Sequence, residues 1–199
     1  AKALHALGRF DEAVESYRIF LVAKPDHAPT RLALGNALIA AGRQEEAEPV
    51  LSAALHDATD TQVRAELHQA LGRLHRDARP GLALEHLERA QELDCARNAL
   101  DSERADLLEK LHRFEDAKKA YRQVLEREPI NSEAHRAYNE LLYRLGDEEE
   151  FLASYDRAPR SQQLMLGKAQ FLLSTGRYGE AERCYRDAII RYSDSKEAS

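Results

Sequence analysis

The stretch Gly-Arg-Phe-Asp-Glu-Ala at residues 8–13 returns as Gly-Arg-Gln-Glu-Glu-Ala at 42–47 and as Gly-Arg-Tyr-Gly-Glu-Ala at 176–181. The chain between these copies contains related stretches, and all the stretches can be aligned on the residue that corresponds to the last residue of the phrase. This alignment gives marker positions 13, 47, 83, 117, 151 and 181, with successive spacings of 34, 36, 34, 34 and 30 residues. A period of about 34 residues predicts a tandem array of one short structural unit, because each unit alone is too small to bury its apolar face.

Each marker is followed by large or apolar side chains at fixed offsets. Four residues after the markers stand Tyr17, Leu51, Leu87, Tyr121, Tyr155 and Tyr185, and seven residues after them stand Phe20, Ala54, Ala90, Val124, Ala158 and Ala188. Offsets of 0, +4 and +7 lie on one face of an α-helix. The pattern predicts a buried helical stripe in every unit, with the tyrosines in the core.

The spacing predicts two helices in each unit. Second helices are expected near residues 10–23, 44–57, 81–93, 114–127, 147–158 and 178–192, with first helices in the gaps before them. Pro29 and Ser161 suit the start of a first helix, as a first-turn proline and an N-cap. Pro80 is expected in a turn within the third unit, where the spacing also suggests a remodelled turn. Pro159 is expected to end the fifth unit's second helix early.

These features resemble the tetratricopeptide repeat family. The Ala-x3-Phe/Tyr part of the family pattern recurs, its closing proline appears at Pro25 and Pro129, and its Leu-Gly pair appears at 34–35 and 71–72. Ala105, Asn139 and Ala169 replace that glycine elsewhere, and the pattern's tryptophan is absent. The resemblance implies an all-α fold, a right-handed α-α superhelical solenoid of about six helix-turn-helix repeats. One solenoid domain, 1–199, would hold repeats at about 1–27 (partial), 28–61, 62–97, 98–131, 132–160 and 161–195.

Composition excludes several classes of protein. With 43% hydrophobic and 32% charged residues, the 199-residue chain is expected to fold without disorder. A net charge of -6 disfavours nucleic acid as a partner, and no apolar stretch reaches the roughly 20 residues that span a membrane. Cys95 and Cys184 lie far apart in sequence without a CxxC or Cys/His cluster, so neither a disulfide framework nor a zinc site is expected. The lack of a disulfide framework favours a reducing, cytoplasmic location. The chain starts without Met and in the middle of a hairpin, so a longer parent protein is expected.

No catalytic, cofactor-binding or metal-binding residue is predicted, and we expect no enzyme activity. The triplet His75-Arg76-Asp77 matches short oxygenase and kinase motifs, but it lies at a helix end without the strands or the Asn that those sites need. His68, His86, His112 and His135 occur singly, without HExxH spacing. Surface or hydrogen-bonded structural histidines account for them.

The family resemblance also implies where a ligand would bind. In this family the second, fifth, sixth, ninth, twelfth and thirteenth repeat positions line a concave groove. The polar residues there are Asn36, Gln69, Arg73, Arg76, Asp106, Glu109, Lys110, Arg136, Glu140, Tyr143 and Arg144. In one interpretation the arginines hold acidic residues of a bound peptide, and Asp106 with Glu109 holds its basic ones. In the alternative, these charges only solvate the exposed face or pair along their own helices at i, i+3 or i, i+4.

Some members of the family clamp the C-terminal carboxylate of a chaperone through Lys, Asn and Arg side chains. Asn36 matches one clamp position, but Leu32, Ala33, Ser102 and Glu103 occupy others, and Glu103 would repel a carboxylate. A chaperone tail is therefore not the expected ligand.

Three functions are compatible with these features of the sequence. The first is a scaffold or adaptor that binds a protein or peptide segment. The second is an accessory region of a larger oxygenase or transferase, because residues 139–159 faintly resemble repeats that precede an oxygenase domain. The third is self-association into a homo-oligomer through the uncapped ends of the array.

Overall fold

A computed structural model describes residues 2–93, 100–147 and 150–192. Over these residues the chain forms helices and no strand, which confirms the all-α prediction. The chain divides into two compact units, residues 1–112 and residues 113–199. The prediction of one continuous domain remains a prediction, and each unit is described separately.

Seven helices form from the described residues of unit 1. They are α1 (Lys2–Ala6), α2 (Phe10–Ala23), α3 (Ala28–Ala40), α4 (Gln44–Asp57), α5 (Thr61–His75), α6 (Pro80–Leu93) and α7 (Leu100–Lys110). Helices α3 and α4 pack as one hairpin and α5 and α6 as the next. The expected boundary at 97/98 and Cys95 lie outside the described residues.

In unit 2, residues 113–147 and 150–192 form five helices. They are α8 (Phe114–Arg127), α9 (Ser132–Leu145), α10 (Ala153–Arg157), α11 (Gln162–Ser174) and α12 (Tyr178–Tyr192). Helix α9 packs against α8, α10 and α11, and α11 forms a hairpin with α12. The end of the sixth predicted repeat, beyond residue 192, lies outside the described residues.

The marker stripe forms the core in both units. The marker alanines Ala13, Ala47, Ala83, Ala117 and Ala181 are all fully buried, at 0% exposed. The larger residues four positions later are buried too at Tyr17, Leu51, Leu87, Tyr121 and Tyr155, whereas Tyr185 is half-buried. Phe20 departs from the pattern, because it is 42% exposed and its ring lies edge-on to the ring of His27. The helical period of the sequence therefore identified most of the core.

The Leu-Gly pairs mark close contacts between the two helices of a hairpin. A Cβ atom added to Gly72 of α5 would lie 2.7 Å from Leu87 Cδ2 of α6, and one added to Gly35 of α3 would lie 2.5 Å from Leu51 Cγ of α4. Both distances are far inside van der Waals contact. A residue without a side chain is therefore required at these sites, because the partner leucines are buried.

The repeated Gly-Arg-x-x-Glu-Ala phrase builds the turn between the two helices. Its glycines, Gly8, Gly42 and Gly176, adopt left-handed φ angles of 72°, 75° and 77°. The arginine that follows pairs with an acidic residue three positions on, as in Arg43 Nε to Glu46 Oε1 at 2.7 Å. His112 adopts the same conformation in the fourth repeat, with φ 57°. The phrase recurs because both its glycine and its charged pair are used in the turn.

The third repeat lacks this turn, as its spacing predicted. Helix α5 continues to His75, the Arg79 amide donates to the His75 carbonyl at 2.8 Å, and α6 starts at Pro80. The prediction that Pro80 lies in the turn is wrong. Proline suits the first residue of a helix because its fixed φ is helical and the amide proton it lacks would have no helical partner.

The fifth repeat differs most from the prediction. Its second helix was expected over 147–158, but α10 covers only Ala153–Arg157, and residues 148–149 lie outside the described residues. Leu152 has a left-handed φ of 64° and its amide donates to Asn139 Oδ1 at 2.5 Å. The Asn139 amide nitrogen also donates to Ser154 Oγ at 2.6 Å. A buried polar side chain thus replaces the small residue at this site and holds a shortened helix.

Candidate functional site

The predicted groove residues of unit 1 lie on three first helices. Asn36 lies on α3, Gln69, Arg73 and Arg76 belong to α5 or its end, and Asp106, Glu109 and Lys110 lie on α7. Arg73 and Lys110 are exposed, and the other five are half-buried. The helical register therefore keeps this set out of the core of unit 1.

Ion pairs connect α5 with α7 across this face. Arg73 Nη2 lies 2.8 Å from Glu103 Oε1, and Arg76 Nη2 lies 2.5 Å from Asp106 Oδ2. A third pair joins Lys110 Nζ to Asp77 Oδ1 at 2.5 Å, and the Lys110 ammonium lowers the pKa of Asp77. Two predicted site arginines thus already hold carboxylates of their own chain, and they do so on a neighbouring helix rather than at the i, i+3 or i, i+4 spacing of the alternative interpretation.

The predicted groove residues of unit 2 lie together on α9. Arg136, Glu140, Tyr143 and Arg144 all line one groove between α9 and α11, with a volume of about 870 Å³. Helix α11 contributes Gly167, Gln170, Phe171 and Ser174 to the lining, and Thr175 follows directly after the helix. Within α9, Arg136 Nη1 lies 3.5 Å from Glu140 Oε2, and both side chains remain more than half exposed, at 59% and 56%. Charged, aromatic and small side chains therefore share one open groove.

Local sequence signals position the two helices of this groove. The Asn131 side chain caps α9 by accepting from the Ala134 amide at 3.0 Å, and Ser161 caps α11 by accepting from the Leu164 amide at 3.1 Å. The Ser161 prediction is thereby confirmed. Gln163 Nε2 of α11 donates to Ser132 Oγ of α9 at 3.1 Å, which ties the helices together near their N-termini.

A small residue keeps the groove open. A Cβ atom added to Gly167 would have only Ser132 Cβ nearby, at 4.0 Å. This glycine differs from Gly35 and Gly72, because no neighbouring side chain occupies the space beside it. The space beside Gly167 is part of the groove.

Two aromatic rings, those of Tyr143 and Phe171, line the groove, and the Phe151 ring contacts both of them. Tyr143 is 52% exposed, and its ring centroid lies 5.7 Å from that of Phe151, which lies 5.7 Å from that of Phe171. The Arg177 guanidinium lies over the Phe151 ring, with its Cζ 5.2 Å from the centroid. Phe171 is buried and fixed, so Tyr143 offers the largest exposed aromatic surface of the groove.

A buried polar network supports the opposite side of α9. His135 Nδ1 lies 3.1 Å from Ser154 Oγ, and His135 Nε2 lies 3.0 Å from the Pro129 carbonyl oxygen. Asn139 joins the same network through Ser154 and Leu152. Burial lowers the pKa of His135, which favours the neutral ring. This network fixes α9 while its other side faces the groove.

The α11 residues that line the groove were not predicted from the sequence. Moving the α9 positions by the 30-residue spacing of the fifth and sixth markers places Glu140 on Gln170 and Arg144 on Ser174. Both of those residues line the groove. The repeat register therefore held the signal, although these side chains carry no charge.

The residues considered for catalysis or metal binding have structural contacts. In the described part of the chain, no group of three or more His, Cys, Asp or Glu side chains is arranged to hold a metal ion. His75 is buried 3.7 Å from Glu48, whereas Arg76 and Asp77 pair with α7. His68 and His86 do not stand singly, because their Nδ1 atoms are 2.9 Å apart. Their separation of 18 residues does not by itself predict this contact, which depends on the packing of α5 against α6.

Two further observations concern cysteine and the membrane. Cys184 is a free, half-buried thiol on α12. Among the helices of the described ranges, none is long and apolar enough to cross a membrane.

Comparisons with known proteins give one consistent family. Models of the tetratricopeptide repeat match residues 4–74, 102–164 and 162–189. No curated protein sequence matches the chain significantly.

Several solved structures are similar to the chain. MamA aligns with a TM-score of 0.70 at 20% identity, covering 84% of this chain and 94% of that one. BtubC (BKLC) from P. vanneervenii aligns at 0.63 and 17% identity, over 96% and 91%. YrrB, described as a TPR protein with an unusual peptide-binding site, aligns at 0.62 and 17% identity, over 91% and 94%. At these identities the likeness concerns the fold.

Proposed function

The chain belongs to the tetratricopeptide repeat family, and from that premise we propose that it binds an extended segment of another protein in the groove between α9 and α11. The family fold supports a protein-interaction scaffold. The groove of about 870 Å³ is the observation that carries the proposal to these two helices. Its size lies within the range of about 300–1,000 Å³ that is usual for ligand pockets.

The energetics favour this groove over the charged face of unit 1. A partner with micromolar affinity requires about 8 kcal/mol, and an exposed ion pair contributes only about 0–1 kcal/mol. Charges alone therefore do not account for such binding. The α9–α11 groove adds the exposed ring of Tyr143 to Arg136 and Arg144, and tyrosine and arginine are the residue types that contribute most at interfaces.

On unit 1, an acidic ligand would have to displace carboxylates of the protein itself. Arg73 and Arg76 already pair with Glu103 and Asp106. Replacing one exposed ion pair with another brings little net free energy. We therefore expect Arg73 and Arg76 to contribute less to binding than Arg136 and Tyr143.

The test starts from a displayed library of random peptides selected on the whole chain. Affinities of the selected peptides are then measured by fluorescence anisotropy for the wild type and for Tyr143→Ala and Arg136→Glu. Each change should weaken binding about tenfold, the factor that corresponds to about 1.4 kcal/mol. Arg183→Glu is the matched control, because Arg183 is an exposed arginine of α12 that does not line the groove.

Two outcomes would count against the proposal. Peptides that bind both groove variants as tightly as the wild type would place the binding surface elsewhere. Peptides that lose affinity with Arg73→Glu but not with Arg136→Glu would place it on the α5–α7 face of unit 1.

Self-association is a second candidate, favoured by exposed apolar residues on the last hairpin. Leu166 and Leu173 of α11 are 40% and 42% exposed, and Ile189 and Ile190 of α12 are 67% and 65% exposed. Light scattering over a hundredfold dilution would show a falling mass if copies associate through these residues. The double change Ile189→Ser and Ile190→Ser should then leave a monomer at every concentration, and a constant monomeric mass in the wild type rejects this candidate.

A further inference from the structure

Three histidines form a cluster within the hairpin of α5 and α6. His68 and His75 lie on α5, and His86 lies on α6. His68 Nδ1 is 2.9 Å from His86 Nδ1, and their ring centroids are 5.2 Å apart. The His75 ring stacks on the His86 ring, with the two centroids 5.8 Å apart and an interplanar angle of 25°.

The charged groups around the cluster come from α4, α5, α6 and the turn before α6. Glu48 of α4 lies 3.7 Å from His75 Nε2, but its oxygens already accept from Arg79 Nη2 at 2.6 Å. The other charges that act on the rings, within the part of the chain that the structure describes, are Arg64 on α5 and Glu85, Arg89 and Glu92 on α6. The cluster thus holds three imidazoles, and the Glu48 carboxylate that lies 3.7 Å from His75 is shared with an arginine.

The contact between His68 and His86 accommodates a limited number of protons. A hydrogen bond between two Nδ1 atoms needs one ring to donate and the other to accept. If both rings are protonated, two N–H groups point at each other across 2.9 Å, and the contact cannot persist. The hairpin as it stands therefore requires at least one of the two rings to be neutral.

Burial lowers the pKa of all three histidine rings. It lowers the pKa of His68 to about 4, and it is the largest cause of the lowered pKa of His75 and of His86. The neighbouring imidazoles and Arg79 add to this effect. In an unfolded chain these rings return to the ordinary histidine pKa near 6.5.

We propose that this cluster makes the α5–α6 hairpin sensitive to acid, so that it loosens as the pH falls below about 6. The unfolded or opened hairpin takes up protons that the closed hairpin excludes. The stabilisation is therefore complete above pH 6.5 and decreases as the pH falls from 6.5 towards 4. Helix α5 also carries Arg73, whose pair with Glu103 joins α5 to α7. Loosening of α5 would thus release charges on the predicted ligand-facing side of unit 1.

The first test compares urea unfolding of the whole chain at pH 7.5 and pH 5.0. For the wild type, the unfolding equilibrium constant should increase on acidification by on the order of tenfold more than for the double variant His68→Gln/His86→Gln. Two glutamines keep hydrogen-bonding side chains in place but do not titrate. His56→Gln is the control, because His56 is an exposed histidine of α4 and its replacement should preserve the wild-type pH dependence.

A second measurement needs no variant and localises the effect. Hydrogen exchange of the wild type, corrected for the intrinsic effect of pH, should show that amides of α5 and α6 lose protection at pH 5.0 before those of α3 and α4. The proposal is rejected if the double variant loses as much stability as the wild type on acidification. It is also rejected if the protection of α5 and α6 is the same at both pH values, and this outcome remains decisive if the double variant does not fold.

Discussion

Two pairs of neighbouring first helices, α5 with α7 and α9 with α11, occupy equivalent repeat positions and present different surfaces. Between α5 and α7, arginine and lysine side chains reach across to carboxylates, as in the 2.5 Å pair of Arg76 with Asp106. Between α9 and α11, the equivalent side chains border a groove of about 870 Å³, and Arg136 pairs within its own helix. Equivalent register therefore does not imply an equivalent surface.

The difference follows from what each neighbouring helix carries. Helix α7 places Glu103 and Asp106 opposite the arginines of α5. Helix α11 places Gly167, Gln170 and Ser174 opposite the charged residues of α9, so the groove stays open. The other side of α9 is also unusual, because the buried amide of Asn139 holds the shortened helix α10. The pairing partner, rather than the arginine itself, decides whether a position is available to a ligand.

The largest expected effect concerns the residue that replaces the family glycine in each region. Asn139→Ala in α9 should destabilise the protein by about 2–3 kcal/mol, because it leaves the buried Leu152 amide and Ser154 hydroxyl without this partner. The reciprocal change, Ala105→Asn in α7, should also destabilise, since Ala105 is 0% exposed and the new amide would be buried in an apolar site. Urea unfolding followed by circular dichroism measures both. An Asn139→Ala protein within about 0.5 kcal/mol of wild type would show that the network is not needed.

Alanine substitution at two glycines should change the stability by intermediate amounts and in opposite directions. Gly35→Ala should cost about 1–2 kcal/mol, because its new Cβ would lie 2.5 Å from Cγ of the fully buried Leu51, and this overlap outweighs the gain in helix propensity. Gly167→Ala should stabilise by up to about 1 kcal/mol, because its Cβ has space in the groove. Thermal unfolding of both variants checks the signs. Equal signs at the two sites would contradict the distinction between a packed contact and an open groove.

The smallest effect is expected for the ion pairs themselves. A double-mutant cycle between Arg76 and Asp106, using alanine at each site, should give a coupling of about 0.5 kcal/mol, since both side chains are about 40% exposed. The cycle for Arg136 and Glu140 should give less, about 0.2 kcal/mol, because arginine precedes the acid in the helix and the atoms are 3.5 Å apart. Both couplings should decrease in 1 M salt. A larger coupling at Arg136 than at Arg76 would reverse the comparison between the two regions.

Much of the fold could be predicted from the sequence because it depends on periodicity. The spacing of the markers located the hairpins, and the offsets of 0, +4 and +7 identified core residues such as Ala47, Leu51 and Tyr121. Ser161 was recognised as an N-cap from its residue type and its position at the expected start of a first helix. The second helix of the fifth repeat begins later than the predicted residue 147, because the hydrogen bond from the Leu152 amide to Asn139 joins residues that no periodic pattern connects.

The sequence by itself determined the family, the helical register and the face on which polar residues such as Arg73 and Arg136 lie, since these depend on local spacing. Only the tertiary structure decided which of those residues meet a partner, because an ion pair such as Arg76 with Asp106 joins side chains 30 residues apart on separate helices. The same holds for His68 and His86, whose contact exists only once α5 and α6 pack together. Contacts between helices depend on distances that the linear order of residues does not contain, and these contacts distinguish the paired face of unit 1 from the open groove of unit 2.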